Sequence, residues 1–139
     1  MSMLKDIAQY ITASGIATLQ VDLFIATEPS TPDNCVILYE YTGRPPEMQA
    51  GYDLPGLQVR ARSTTWDIGR SKLQAIQDLL QEVGNEYGDD IDLAQGVTIN
   101  NTLYTRIEPQ GGVIPAERDK NKRHNTVQNY IIAKERNNE

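Results

Sequence analysis

The sequence predicts an α+β fold, a mostly antiparallel β-sheet with two α-helices packed on one face. Three observations carry that prediction. From Leu57 to Arg62, apolar Leu57, Val59 and Ala61 alternate with Gln58, Arg60 and Arg62, the period of a strand with one buried face. Directly after it, Gly69, Leu73, Ile76, Leu80 and Val83 recur at spacings of four and three, one stripe of an amphipathic helix. The C-terminal half then carries strand patterns joined by hairpin signals, with no further helix period.

Taken in order, Ser2 caps a first helix from about Met3 to Ser14. Its stripe is Leu4, Ile7, Ala8 and Ile11, and Gly15 ends it in the left-handed conformation. Val21–Ala26 reads as a strand, closed by the turn-forming segment from Glu28 to Asn34 with its two prolines. Cys35–Tyr41 is nearly continuously apolar, as expected of a strand covered on both faces. Thr42–Pro55 reads as the longest linker, stiffened by Arg44-Pro45-Pro46, and Pro55-Gly56 as a tight turn into the strand at Leu57. Thr64 and Thr65 are candidate caps of the second helix, with Asp67 in its first turn. Gly84–Gly96 is an acidic loop. Val97–Ile99 and Leu103–Ile107 flank Asn100-Asn101, which tolerates the positive φ of a two-residue hairpin. Pro109–Pro115 contains Gly111-Gly112, a break or bend. Asp119–Lys122 is a polar turn, Thr126–Ala133 the last strand, and residues 134–139 a frayed tail.

A length of 139 residues fits one domain spanning residues 1–139, large enough for a real core. No apolar run approaches the ~18 residues of a membrane span, and no export signal is expected at the N-terminus. The single cysteine, Cys35, allows no internal disulfide. A net charge of −6 disfavours broad phosphate-backbone binding. The charge is uneven: five acids and no base lie between Glu82 and Asp92, while bases outnumber acids between Ala116 and His124.

Chemistry-bearing patterns are scarce. There is no phosphate-binding glycine loop, dinucleotide fingerprint or nucleophile elbow. His124 sits in the basic turn without a second ligand at metal spacing, and Cys35 reads as a structural thiol opening an apolar strand. Asp89, Asp90 and Asp92 lack the alternating oxygens of a calcium loop. Trp66 is a candidate interface anchor or a cover over the sheet. No catalytic residue, metal or cofactor is expected.

Several segments together resemble a known family. Val21-Asp22-Leu23-Phe24-Ile25 with Pro29, Pro32-Asp33-Asn34-Cys35-Val36, and Gly43-Arg44-Pro45-Pro46 come first. Leu54-Pro55-Gly56-Leu57-Gln58-Val59-Arg60-Ala61-Arg62, the helix near Trp66 and Asn100-Asn101-Thr102-Leu103-Tyr104 follow. In this order they look like the minor capsid or tail terminator proteins of long-tailed bacteriophages, over about Leu4–Ile107. The family often has glycine at the position of Asn101. The resemblance implies a tail-terminator-like subunit, not an enzyme, that assembles six to a hexameric ring in the virion neck. That ring would end tube polymerisation at the head-proximal end of the tail and join it to head-completion (connector) proteins. DNA would only pass through the lumen, no membrane would be involved, and the protein would be made in the host cytoplasm.

The residues nominate two kinds of contact. A ring requires unlike, complementary patches on neighbouring subunits. Glu86, Asp89, Asp90 and Asp92 on one side, with Arg118, Lys120, Lys122 and Arg123 on the other, are the candidates. Arg44, Pro45, Pro46, Gln110, Gly111, Gly112 and Val113 are candidates for tube or connector contact, because long loops in compact domains often carry function. Two other classes compete: a small nucleic-acid-binding module using the turn at 118–124, and a cysteine-dependent enzyme using Cys35.

Overall fold

The computed structural model describes residues 2–47, 51–83, 96–116 and 118–135. Helix α1 spans Met3–Ser14; Ser2 Oγ accepts from Lys5 N, and Gly15 closes the helix at φ 85°. Strands β1 (Leu23–Ile25), β2 (Cys35–Glu47) and β3 (Tyr52–Ser63) lead to helix α2 (Trp66–Gln81), capped by Thr65. Strands β4 (Val97–Ile99), β5 (Thr102–Ala116) and β6 (His124–Glu135) follow among the described residues. The six strands form one curled sheet in the order β1-β2-β3-β6-β5-β4. Every pairing is antiparallel except β1 with β2.

Strand registers sort the side chains into two sets. Val36, Leu38, Leu57, Val59, Ala61, Tyr130 and Ile132 align across β2, β3 and β6 and are all buried. They share one hydrophobic cluster with Ile7, Ala8 and Ile11 of α1 and with Leu73, Ile76 and Leu80 of α2. Each Val, Leu or Ile among them contributes about 1.5–3 kcal/mol by leaving water, so this cluster dominates the stability. Gly69 lets α2 sit close to β3: a Cβ there would come within 2.6 Å of Ser63 Oγ.

The alternate set holds Ile37, Tyr39, Tyr41, Gln58, Arg60, Arg62 and Asn129, a face of mixed polarity. The sheet curls across it. Neighbouring strands lie about 4.8 Å apart, yet Tyr41 Oη on β2 donates to the Tyr130 carbonyl on β6, with β3 between them. Arg44 on β2 likewise reaches Gln110 on β5 at 3.3 Å.

Four readings of the sequence are corrected here. Thr42–Pro55 is not a linker, because β2 continues to Glu47 and β3 already begins at Tyr52. Pro55-Gly56 makes no turn. Pro55 falls where neither flanking ladder registers a partner, so its missing N–H breaks no pairing. Gly56 continues the strand beneath the Tyr41 ring, which occupies the space a Cβ would need. Pro109–Pro115 is not a loop but part of β5, and Gly111-Gly112 makes the expected bend, not a break, at a register shift between Gln110 and Ile114. Finally, β6 runs to Glu135, so Lys134 and Glu135 are paired strand residues (residues 136–139 lie outside the described residues). The Asn100-Asn101 hairpin forms as expected, with φ of 50° and 67°.

Candidate functional site

The polar face of the curled sheet supplies two recesses, one at each end. The first, about 320 Å³, is lined by Arg44, Tyr52 and Leu54 of the β2–β3 arm and by Thr105, Arg106 and Glu108 of β5. Arg44 and Gln110, nominated from segments 66 residues apart, meet here through their side chains. Pro45 is exposed beside Arg44, and Arg106 pairs with Glu108 at 2.8 Å. The side chain of Pro46 lies outside the described residues. Gly111 and Gly112 are exposed at the bend, and the Gly111 carbonyl accepts from Gln128 Nε2 at 2.9 Å. Val113 instead turns inward against the hydrophobic cluster.

The second recess, about 480 Å³, lies between the segment at Glu28–Ser30, the turn at 118–123, and Arg60, Arg62 and Asn125 of the sheet. Asp119 organises the turn. Its carboxylate accepts from the backbone N–H of Asn121 and Arg123 and from Arg123 Nε at 2.7 Å. Burial works to raise the pKa of this carboxyl, but the bonds and charge of Arg123 and the bond from Asn121 outweigh it and hold the group below its usual value. Arg123 is itself buried and also reaches the Ser30 carbonyl at 2.7 Å and Asp33 at 3.4 Å. Arg118 donates twice to the Lys122 carbonyl. Of the four nominated bases, Arg123 and Arg118 therefore fasten the turn, and Lys120 and Lys122 stand exposed. The nominated acids Glu86, Asp89, Asp90 and Asp92 lie outside the described residues.

Arg60 and Arg62 were read only as the polar side of a strand. Their place in a recess needed the Glu28–Asp33 segment to fold over them, and nothing local to β3 encodes that. Arg60 pairs with Glu28 at 3.1 Å and lies over the Tyr39 ring. Arg62 is 5% exposed and donates to the Pro32 carbonyl at 2.7 Å. The two cations, spaced two residues apart in a strand pattern, were the available signal.

Of the remaining candidates, Cys35 is buried and Trp66 lies at the surface. Burial pushes the Cys35 thiol up, with Arg62 and Arg123 pulling it partly back, so little thiolate exists near neutral pH. His124 is not in the turn but opens β6 opposite Ser63. Trp66 begins α2, half-covered, with Arg70 stacked 5.1 Å from its ring. No helix among the described residues is long and apolar enough to cross a membrane.

A model of the bacteriophage tail terminator protein family matches residues 10–135. No curated protein matches the chain in sequence. Among solved structures, the chain is similar to one from the virion of a native gene transfer agent particle, with a TM-score of 0.68 and 10% identity. That match covers 96% of this chain and 95% of the other. The likeness is one of fold.

Proposed function

The chain belongs to the bacteriophage tail terminator protein family, a family of virion structural proteins, and from that premise we propose that it forms a ring at the head-proximal end of the tail tube. The ring, a hexamer in this reading, stops tube polymerisation and joins the tail to head-completion proteins. The observation that carries the proposal is the family match across residues 10–135. We further take residues 1–139 as one domain with both helices on one sheet face, a reading supported by the cluster that α1 and α2 share with β2, β3 and β6.

Tube or connector contact is assigned to the β2–β3 arm at Arg44–Pro46 and the β5 bend at Gln110–Gly112, with Val113 packed inward behind it. Both are parts of long strands with exposed residues, and Arg44 already touches Gln110. A closed ring is built from heterologous contacts, for which the acidic run at Glu86–Asp92 and the basic turn at Arg118–Arg123 are the candidate pair. Acids lining the lumen would repel DNA and let it slide.

The test is imaging of particles made without the gene. Tails of uncontrolled length, or heads and tails left unjoined, are the expected result. Virions of normal tail length and normal joining would end the proposal.

A further inference from the structure

Among the described residues, the recess beneath the 118–123 turn is lined by five cations, Arg60, Arg62, Arg118, Lys120 and Arg123, and by two carboxylates, Glu28 and Asp119. Glu28 is spent on Arg60, and Asp119, with Asp33 behind it, on Arg123. Arg62 has no carboxylate within ion-pair distance among the described residues. Its Nη2 bonds the Pro32 carbonyl, while its Nε, like that of Arg60, is buried without an acceptor. A guanidinium so deeply buried with donors unmade is costly, because a charge removed from water needs compensating partners. The chain as a whole is the reverse, with 19 acids against 13 bases.

We propose that this recess is an oxyanion site that takes an acidic side chain from a second copy of the chain. A planar carboxylate matches the guanidinium fork and forms short, charge-assisted bonds to it. A nucleic-acid phosphate is the weaker fit, because the −6 surface repels a polyanion and Arg62 lies too deep for a continuous backbone to reach. The second copy follows from charge complementarity, since this chain carries the acidic excess that the recess lacks. The assignment of the occupant rests on the ring reading above; the existence of the anion site does not.

The full-length protein, labelled with ¹⁵N, is titrated with glutarate and separately with inorganic phosphate at constant ionic strength, observing the arginine Nε–Hε resonances. Glutarate is expected to shift the Arg62 resonance saturably and at least severalfold more tightly than phosphate. Lys120→Glu, an exposed change, should weaken glutarate severalfold, and Arg62→Met should abolish its binding while leaving the near-ultraviolet circular dichroism intact. Absence of a saturable shift, or preference for phosphate, overturns the carboxylate site. Sedimentation of the same proteins then addresses the occupant. Self-association weakened at least tenfold by Arg62→Met and by added glutarate supports a second copy, whereas none, or association insensitive to both, overturns it. Normal tails in particles lacking the gene would defeat the terminator reading while leaving the glutarate result standing.

Discussion

Two buried ionisable side chains, Asp6 in α1 and Arg62 in β3, are 1% and 5% exposed but live in opposite circumstances. Asp6 accepts from the hydroxyl of buried Tyr104 and from Asn100 Nδ2 at 2.7 Å, which ties α1 to the β4–β5 hairpin. Burial, together with the Asp6 carboxylate, pushes the Tyr104 hydroxyl far above its ordinary value, so it remains a donor at any working pH. Arg62 has the Pro32 carbonyl and a buried Nε without an acceptor. A buried charge with its partners made is part of the scaffold; one with donors left over is cheap to lose and available for a partner. That difference separates what holds this subunit together from what it offers outward.

The largest effect should come from the scaffold side. Asp6→Ala strands the buried Tyr104 hydroxyl and removes one of the two acceptors of the exposed Asn100 amide, and should cost about 3 kcal/mol. Arg62→Met, of similar length but uncharged, should cost less than about 1 kcal/mol in the isolated chain. Chemical denaturation of both variants checks this. An Arg62→Met loss equal to that of Asp6→Ala would erase the distinction.

Within the recess the contrast recurs between Arg123 and Arg62. Arg123 is matched to Asp119, Asp33 and the Ser30 carbonyl. Arg123→Met should therefore cost about 2 kcal/mol and loosen the 118–123 turn, visible as faster amide exchange at Asn121. For the same reason, reversing Arg123 is a poor test of subunit contact, and Lys120 and Lys122 are the informative positions.

Acid should open the same turn. Because the Asp119 carboxyl is held below its usual value, its stabilisation is fully present above the unfolded carboxylate pKa of about 3.9 and is lost as pH falls through the lower folded value. Amide exchange at Asn121 and Arg123 should thus accelerate only below that range. Acceleration between pH 5 and 7 would mean that another group controls the turn.

The sequence made the periodic parts of this molecule legible. Ser2 and Gly15 bound α1, Thr65 caps α2, and Leu73, Ile76 and Leu80 point inward as their spacing requires. Prolines and glycines misled where tertiary contact overrode their local habit. Pro55 sits at a gap in the ladders, Gly56 lies under Tyr41, and Gly111 bends a strand it does not end. The arm carrying Arg44 was legible as a contact candidate but misread as a linker, and its contact with Gln110 depends on the sheet's curl, which no local pattern encodes. Asp6 was invisible for a related reason: in the first turn of a helix, an acid reads as a solvated partner of the dipole. Only the approach of Tyr104 and Asn100, far along the chain, makes it a buried anchor.

The smallest effect isolates that anchor from backbone preference. Asn100 and Asn101 sit side by side in one hairpin, both at positive φ, so glycine suits the backbone of either. Their side chains differ. Asn100 Nδ2 reaches Asp6 and Gln9, each at 2.7 Å, whereas Asn101 is exposed at the tip. Asn101→Gly should accordingly be neutral to stabilising, by up to about 0.5 kcal/mol. Asn100→Gly should be destabilising by about 1 kcal/mol, because relief of backbone strain is smaller than the loss of a bond to a buried carboxylate. Thermal melts of the two variants should move in opposite directions. A shared direction would mean that turn geometry, and not the tie to Asp6, determines how firmly the hairpin is held.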